Sequence, residues 1–160
     1  NRGISGNKVF QLSDRWDKDC LDLKPDVVSI LIGVNDYWHT FKHGFEGTAA
    51  SYEQDLDALL KQTKEASPNV KIIIGEPFAL KDGSAIKEIK NWYPEFLKYQ
   101  AAAKSIAQKH QTAWIPYQKI FDDASKNVPS SHWSGDGVHP SFAGSHLMAK
   151  SWVKAFNSLY

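Results

Sequence analysis

The chain has 160 residues, 42% of them hydrophobic and 23% charged, with a net charge of +1. That length suits one domain, and nineteen basic against eighteen acidic residues, with no basic run, exclude the electrostatic footprint of a nucleic-acid binder. No apolar run approaches the roughly 20 residues that cross a bilayer, and the single cysteine, Cys20, excludes an internal disulfide framework and a cysteine-based zinc site.

The first seven residues, Asn1-Arg2-Gly3-Ile4-Ser5-Gly6-Asn7, read as the interior of a turn, with no strand, helix or signal-peptide apolar region ahead of them. A helix is expected over 14–23, with Trp16 and Cys20 as an i,i+4 pair. Residues 27–32 are β-branched and nearly continuously apolar, as in a parallel strand covered on both faces. The spacing of Ser51 and Gln54 suggests a capping box. The helix that follows carries Tyr52, Leu56, Leu59, Leu60 and Thr63 on one face and should stop before Pro68. A second strand is expected over 70–75. Pro94 suits the first turn of a longer helix, in which Phe96, Tyr99, Ala103 and Ile106 recur at helical spacing. A third strand over 113–116 and a last helix, striped by Met148, Trp152, Phe156 and Leu159, complete the order.

Strands alternating with helices predict a single α/β domain over 1–160. The strand over 27–32 should be central, yet only the strand over 70–75 is at hand to pair with it. One edge is left open.

Three windows carry candidate chemistry. In Gly135-Asp136-Gly137-Val138-His139-Pro140, an aspartate three residues before a histidine can turn its carboxylate to the imidazole, fixing the tautomer and stabilising the imidazolium. Gly33-Val34-Asn35-Asp36 follows the best strand, where ligands bind in open α/β sheets, and the Asn35 amide can donate to a developing oxyanion. The glycine-rich turn at Gly3–Asn7 can offer backbone N–H groups to an anion. Each also reads as an ordinary loop when taken alone.

Together and in this order, N-R-G-I-S-G-N, G-V-N-D and D-G-V-H-P resemble the second, third and fifth blocks of the SGNH (GDSL-type) hydrolase family. The likeness extends over essentially the whole chain. It implies an ester hydrolase with a three-layer αβα, flavodoxin-like sandwich built on a parallel sheet. It implies His139 as general base and then acid, Asp136 as its orienting partner, and Gly6 and Asn35 as oxyanion-hole donors. The family's nucleophilic serine belongs to an upstream Gly-Asp-Ser block, and no Gly-Asp-Ser occurs in these residues. The expectation is therefore a domain lacking its first strand–helix unit, whose open sheet edge is completed by an N-terminal segment or a second chain. Ser5 is a less favoured nucleophile, since the family uses its loop for oxyanion binding.

Trp38 and Trp133 flank these windows and are expected to line the substrate cleft, whereas Trp16, Trp114 and Trp152 are expected in the core. Glu76-Pro77, at the end of the second strand, is expected to shape the cleft. His39 and His43 have the i,i+4 spacing of a helical metal pair, but Gly44 and Gly47 argue against a helix there and no carboxylate motif accompanies them. No metal and no cofactor are expected. His132 and His146 are expected at the surface. The substrate class is a small-molecule, glycan or lipid ester. A catalytically silent fragment or a glycan-binding module of the same fold is the competing reading. A mononucleotide binder fits less well, because no phosphate fingerprint follows a strand.

Overall fold

A computed structural model describes residues 1–87 and 92–160. The chain begins with short helical pieces, α1 (Val9–Ser13), α2 (Trp16–Asp19) and a 3₁₀ turn (Leu21–Leu23), and then enters β1 (Val27–Leu31), α3 (Val34–Lys42) and α4 (Ala49–Ala66). It continues through β2 (Lys71–Gly75), α5 (Ser84–Lys87), α6 (Glu95–Lys109), β3 (Ala113–Ile115), α7 (Tyr117–Ala124), α8 (Ser130–Trp133) and α9 (Phe142–Asn157).

The strands form a parallel sheet in the order β1-β2-β3, with Leu31 opposite Gly75 and Gly75 opposite Ile115. Alternation along β2 sends Ile72 and Ile74 to one face and Ile73 to the other, and two core clusters follow from it. On the first face, Val28 and Ile30 join the buried sides of α1, α2, α4 and α6. On the second, Ile73 and Ile115 meet Phe78, Tyr117 and Phe121, with Met148, Trp152 and Phe156 of α9 packed behind them. Helices thus cover both faces, the three-layer α/β arrangement expected of near-continuous apolar strands.

The predicted face of α4, from Tyr52 to Thr63, is fully buried. Each of its leucines contributes about 1.5–3 kcal/mol by leaving water. The helix begins earlier than Ser51, however. Thr48 is the N-cap, its hydroxyl accepting the Ser51 N–H at 3.1 Å while Ser51 Oγ accepts the Thr48 N–H at 2.9 Å. Ser51 is the return partner of the box and not its start. The helix expected over 14–23 is broken at Arg15 and Cys20, whose dihedrals leave the helical region. Few apolar residues hold this segment, and Arg15 is drawn instead into bonds with Asn7 and the Arg2 carbonyl. Trp16 and Cys20 still reach the core, and the Trp16 indole N–H donates to Thr63 Oγ1 at 2.9 Å.

β2 is the strand flanked on both sides. β1 pairs with β2 alone, and no strand among the described residues lies on its other edge. There Leu31 is 45% exposed and Ser29 is exposed, its hydroxyl accepting the Trp152 indole N–H at 2.9 Å. A groove of about 930 Å³ runs along this edge, bounded by β1, the residues around Ile4, and Trp152.

Candidate active site

The parallel strands release the chain at one end of the sheet, and the three motif windows converge there. β1 exits through Gly33 into the first turn of α3, which carries Asn35. The segment ahead of α1 makes a tight turn, with the Asn7 N–H donating to the Ile4 carbonyl at 3.2 Å. Gly6 is the third residue of that turn, at φ +80°, a conformation that turn geometry reserves for glycine. The loop between α8 and α9 brings His139. A cavity of about 260 Å³ is lined by residues of all three windows, among them Ser5, Gly6, Asn35 and His139.

The Asp136–His139 pair is tightly made. Asp136 Oδ2 lies 2.6 Å from His139 Nδ1. Its other oxygen accepts the backbone N–H groups of His139 at 2.8 Å and Val138 at 3.0 Å. Burial works to raise the Asp136 carboxyl pKa, but the hydrogen bonds from the His139 ring and from these two N–H groups outweigh it and hold it at about 2. An ionised partner on Nδ1 places the proton there and leaves the Nε2 lone pair to the cavity, as a general base requires.

The loop is fastened from behind. Fully buried Ser134 donates to the His139 carbonyl at 2.8 Å and accepts the Gly137 N–H at 2.9 Å. The N–H groups of Ser84 and Ala85, at the start of α5, donate to the Gly135 and Asp136 carbonyls. Ser134 was not singled out by the sequence, although a hydroxyl two residues before the aspartate of a tight loop is a recognisable local acceptor.

Asn35 Nδ2 donates to the Asn7 carbonyl at 3.2 Å, which fixes the amide and leaves its second N–H for the cavity. The neighbouring Asp36 is 3% exposed and turns inward, where Oδ1 accepts the Val9 N–H at 3.0 Å. The G-V-N-D window therefore anchors the start of α1 as well as presenting Asn35.

The two tryptophans part company. Trp38 stands 6.2 Å from His139, ring centre to ring centre, and packs partly buried against the first core, outside the lining of the cavity. Trp133 is not among the residues lining the cavity of His139, and packs with Leu147, Met148 and Trp152 against the second core. Pro77 lines the cavity, whereas Glu76 accepts the Gln118 N–H at 3.0 Å at the start of α7, and burial pushes its carboxyl pKa up. Ile32 and Met148, expected only as strand and helix packing, and Phe78, unremarked in the sequence, complete apolar parts of the wall. His39 lies on a helix after all, since Gly44 and Gly47 fall beyond the end of α3. His39 and His43 meet ring to ring at 4.5 Å, and no group of three or more His, Cys, Asp or Glu among the described residues is placed to hold a metal. His132 and His146 are exposed.

Residues 1–147 match the model of the GDSL-like lipase/acylhydrolase family. The chain belongs to that family. Within it, the chain is 32% identical over 156 residues to an acetylxylan esterase of Geobacillus stearothermophilus, an alignment covering 96% of this chain and 69% of that protein. A crystal structure of that esterase superposes with a TM-score of 0.83 at 32% identity, over 97% of this chain and 70% of the other. Two further crystal structures are of catalytic mutants of that esterase, one replacing a serine and one a histidine by alanine. A crystal structure of a GDSL-like lipase candidate from Parabacteroides merdae superposes with a TM-score of 0.94 at 54% identity, covering 97% of this chain and 71% of that one. GDSL-like family membership supports an ester hydrolase in general terms.

Proposed function

We propose that this chain carries the acid–base and oxyanion parts of a serine carboxylic ester hydrolase acting through an acyl-enzyme, and that its nucleophile enters on a strand beside the open edge of β1. The observation that carries this reading is the Asp136–His139 contact of 2.6 Å, opening on the cavity that Asn35 and Gly6 also line. The groove of about 930 Å³ along β1 supports the second part, since it lies against the outer edge of β1, which no strand among the described residues pairs.

In this mechanism, His139 Nε2 takes the serine proton as the hydroxyl oxygen attacks the ester carbonyl. Asp136 stabilises the imidazolium that forms. The Asn35 side-chain N–H and the Gly6 backbone N–H hold the oxyanion. His139 then gives its proton to the departing alcohol, and a water activated by the same nitrogen releases the acid. Trp38 stands beside the His139 ring, and Trp133 supports the loop from below. The substrate class is a short acyl ester on a saccharide, a reading supported by the acetylxylan esterase relative and by the small cavity, about 260 Å³, that His139 lines.

A short chromogenic acetyl ester tests the proposal. Turnover is expected only when a segment bearing the serine strand is joined to or mixed with the chain. Turnover by these 160 residues alone, abolished in Ser5→Ala, would instead make Ser5 the nucleophile, as its place in the same cavity allows. No turnover in either form would leave a binding module of the same fold.

A further inference from the structure

Beside the catalytic end, Lys8, at the start of α1, and Lys42, at the end of α3, place two positive charges. Lys8 Nζ lies 3.3 Å from His39 Nδ1 and sits over the rings of Phe10 and Phe45, at 5.6 and 5.0 Å from their centres. Lys42 Nζ sits 4.9 Å above the Trp38 ring, the same ring that neighbours His139. His43 stacks edge-on against His39. Among the described residues, no salt bridge within 4.0 Å involves Lys8, His39, Lys42 or His43.

Aromatic faces hold an ammonium by their quadrupole without cancelling its charge. Both lysines are thus fixed in place and remain available to an anion. His39 reports the field, because burial, and after it the charges of Lys8, His43 and Lys42, depress its pKa. The cluster also touches the proposed chemistry directly. A Cβ on Gly6 would stand only 3.7 Å from His39 Cε1, so this cationic row lies behind the oxyanion turn and leads outward past Trp38. In a chain of net charge +1, such a concentration at one rim is a local feature of the site.

We propose that this rim binds the alcohol side of the substrate and that the preferred substrate is an ester of an acidic oligosaccharide, whose sugar carboxylates engage Lys8 and Lys42 while the acyl group enters the cavity of His139. The inference rests on the ester-hydrolase reading for the acyl group, but the binding it asserts does not require turnover.

The test is titration of the 160-residue chain with a glucuronate-bearing xylooligosaccharide and with the neutral oligosaccharide of equal length, followed by NMR and calorimetry at low and high salt. The acidic sugar is expected to bind at least about tenfold more tightly at low salt, to lose that advantage at high salt, and to perturb Trp38 and His139 resonances. The Lys8→Met/Lys42→Met double variant keeps unbranched side chains of similar length without the charge, and should reduce the acidic sugar to the affinity of the neutral one. Lys119→Gln, on α7, should change nothing. Equal affinity for the two sugars, failure to bind either, or a preference that survives the double variant would each overturn the proposal. An intact sugar preference in a chain that gains no ester turnover when the serine strand is joined to it would count against the hydrolase reading alone.

Discussion

The side-chain amide of Asn35 is bonded to the backbone carbonyl of Asn7 at 3.2 Å, so the two segments proposed to supply the oxyanion donors are tied directly to each other. Asn7 is gripped in turn by Arg15, whose Nε and Nη2 donate to its Oδ1 at 3.2 and 3.0 Å. The donors are therefore set before substrate arrives, the condition under which such groups act most strongly on a transition state. Asn35→Ala should lower kcat by about 10²–10³-fold with little change in KM. Steady-state kinetics on a chromogenic acetyl ester, in the enzyme carrying the proposed serine strand, measures this. Undiminished kcat would remove Asn35 from the oxyanion hole.

Asp136 gives a pH signature. Its folded pKa, at about 2, lies below the ordinary 3.8, so its contribution is present above pH 4 and is lost as pH falls towards 2. The side chain is 33% exposed, and after allowance for solvent screening the contribution is about 1 kcal/mol. Asp136→Asn should be less stable than the parent by that amount at pH 7, and the gap should close between pH 4 and pH 2. Urea unfolding of both proteins across that range decides it; a gap that stays constant would show that ionisation of Asp136 is not its source.

The four residues that define the candidate site, Gly6, Asn35, Asp136 and His139, were legible because each sits in a short window whose chemistry is local. A turn needs a glycine at positive φ, a strand end presents an amide, and an aspartate reaches a histidine three residues on. The layers were legible from β-branched runs and helical stripes. What escaped depends on contacts between segments far apart. Asp36 is buried because α1 folds back onto α3, and Lys8, at the start of α1, reaches His39 on α3, 31 residues away. Trp133 shows the limit of proximity in sequence: three residues from Asp136, it faces the second core because α9 packs across it.

Gly83 illustrates such a long-range constraint. A Cβ there would lie 2.3 Å from the backbone carbon and oxygen of Asp136, so α5 approaches the catalytic loop closely enough to forbid a methyl group. Gly83→Ala should destabilise the fold by about 1–3 kcal/mol, since neither backbone can yield without strain. It should also displace Asp136 from His139, and a shift of about 1 Å can cost on the order of 10²-fold in rate. Thermal denaturation and turnover should fall together. A variant with parental stability and rate would mean that the loop tolerates the methyl group.

Asp36 should behave in the opposite sense to Asp136. Burial is the main cause that raises its pKa from 3.8 to about 6; the Val9 N–H and the charge of Lys8 pull the other way and do not offset it. Among the described residues, its Oδ2 has no hydrogen-bond partner. For a folded pKa above the unfolded one, the contribution to stability is fully present below about pH 4 and is lost as pH rises through 6. At pH 7 the ionised carboxylate therefore costs the fold stability, nominally about 3 kcal/mol for a shift of this size. Asp36→Asn retains an oxygen for the Val9 N–H and cannot ionise. Its amide places N–H donors where Oδ2 lacks a partner, which returns about 1–2 kcal/mol of that gain. The variant should therefore be more stable than the parent by about 1–2 kcal/mol at pH 7, and no more stable than it below pH 4. Urea unfolding at pH 4, 5, 6 and 7 tests both limbs. A variant less stable at pH 7, or a difference independent of pH, would show that the parent keeps its Asp36 charge at no cost, through contacts that the variant breaks.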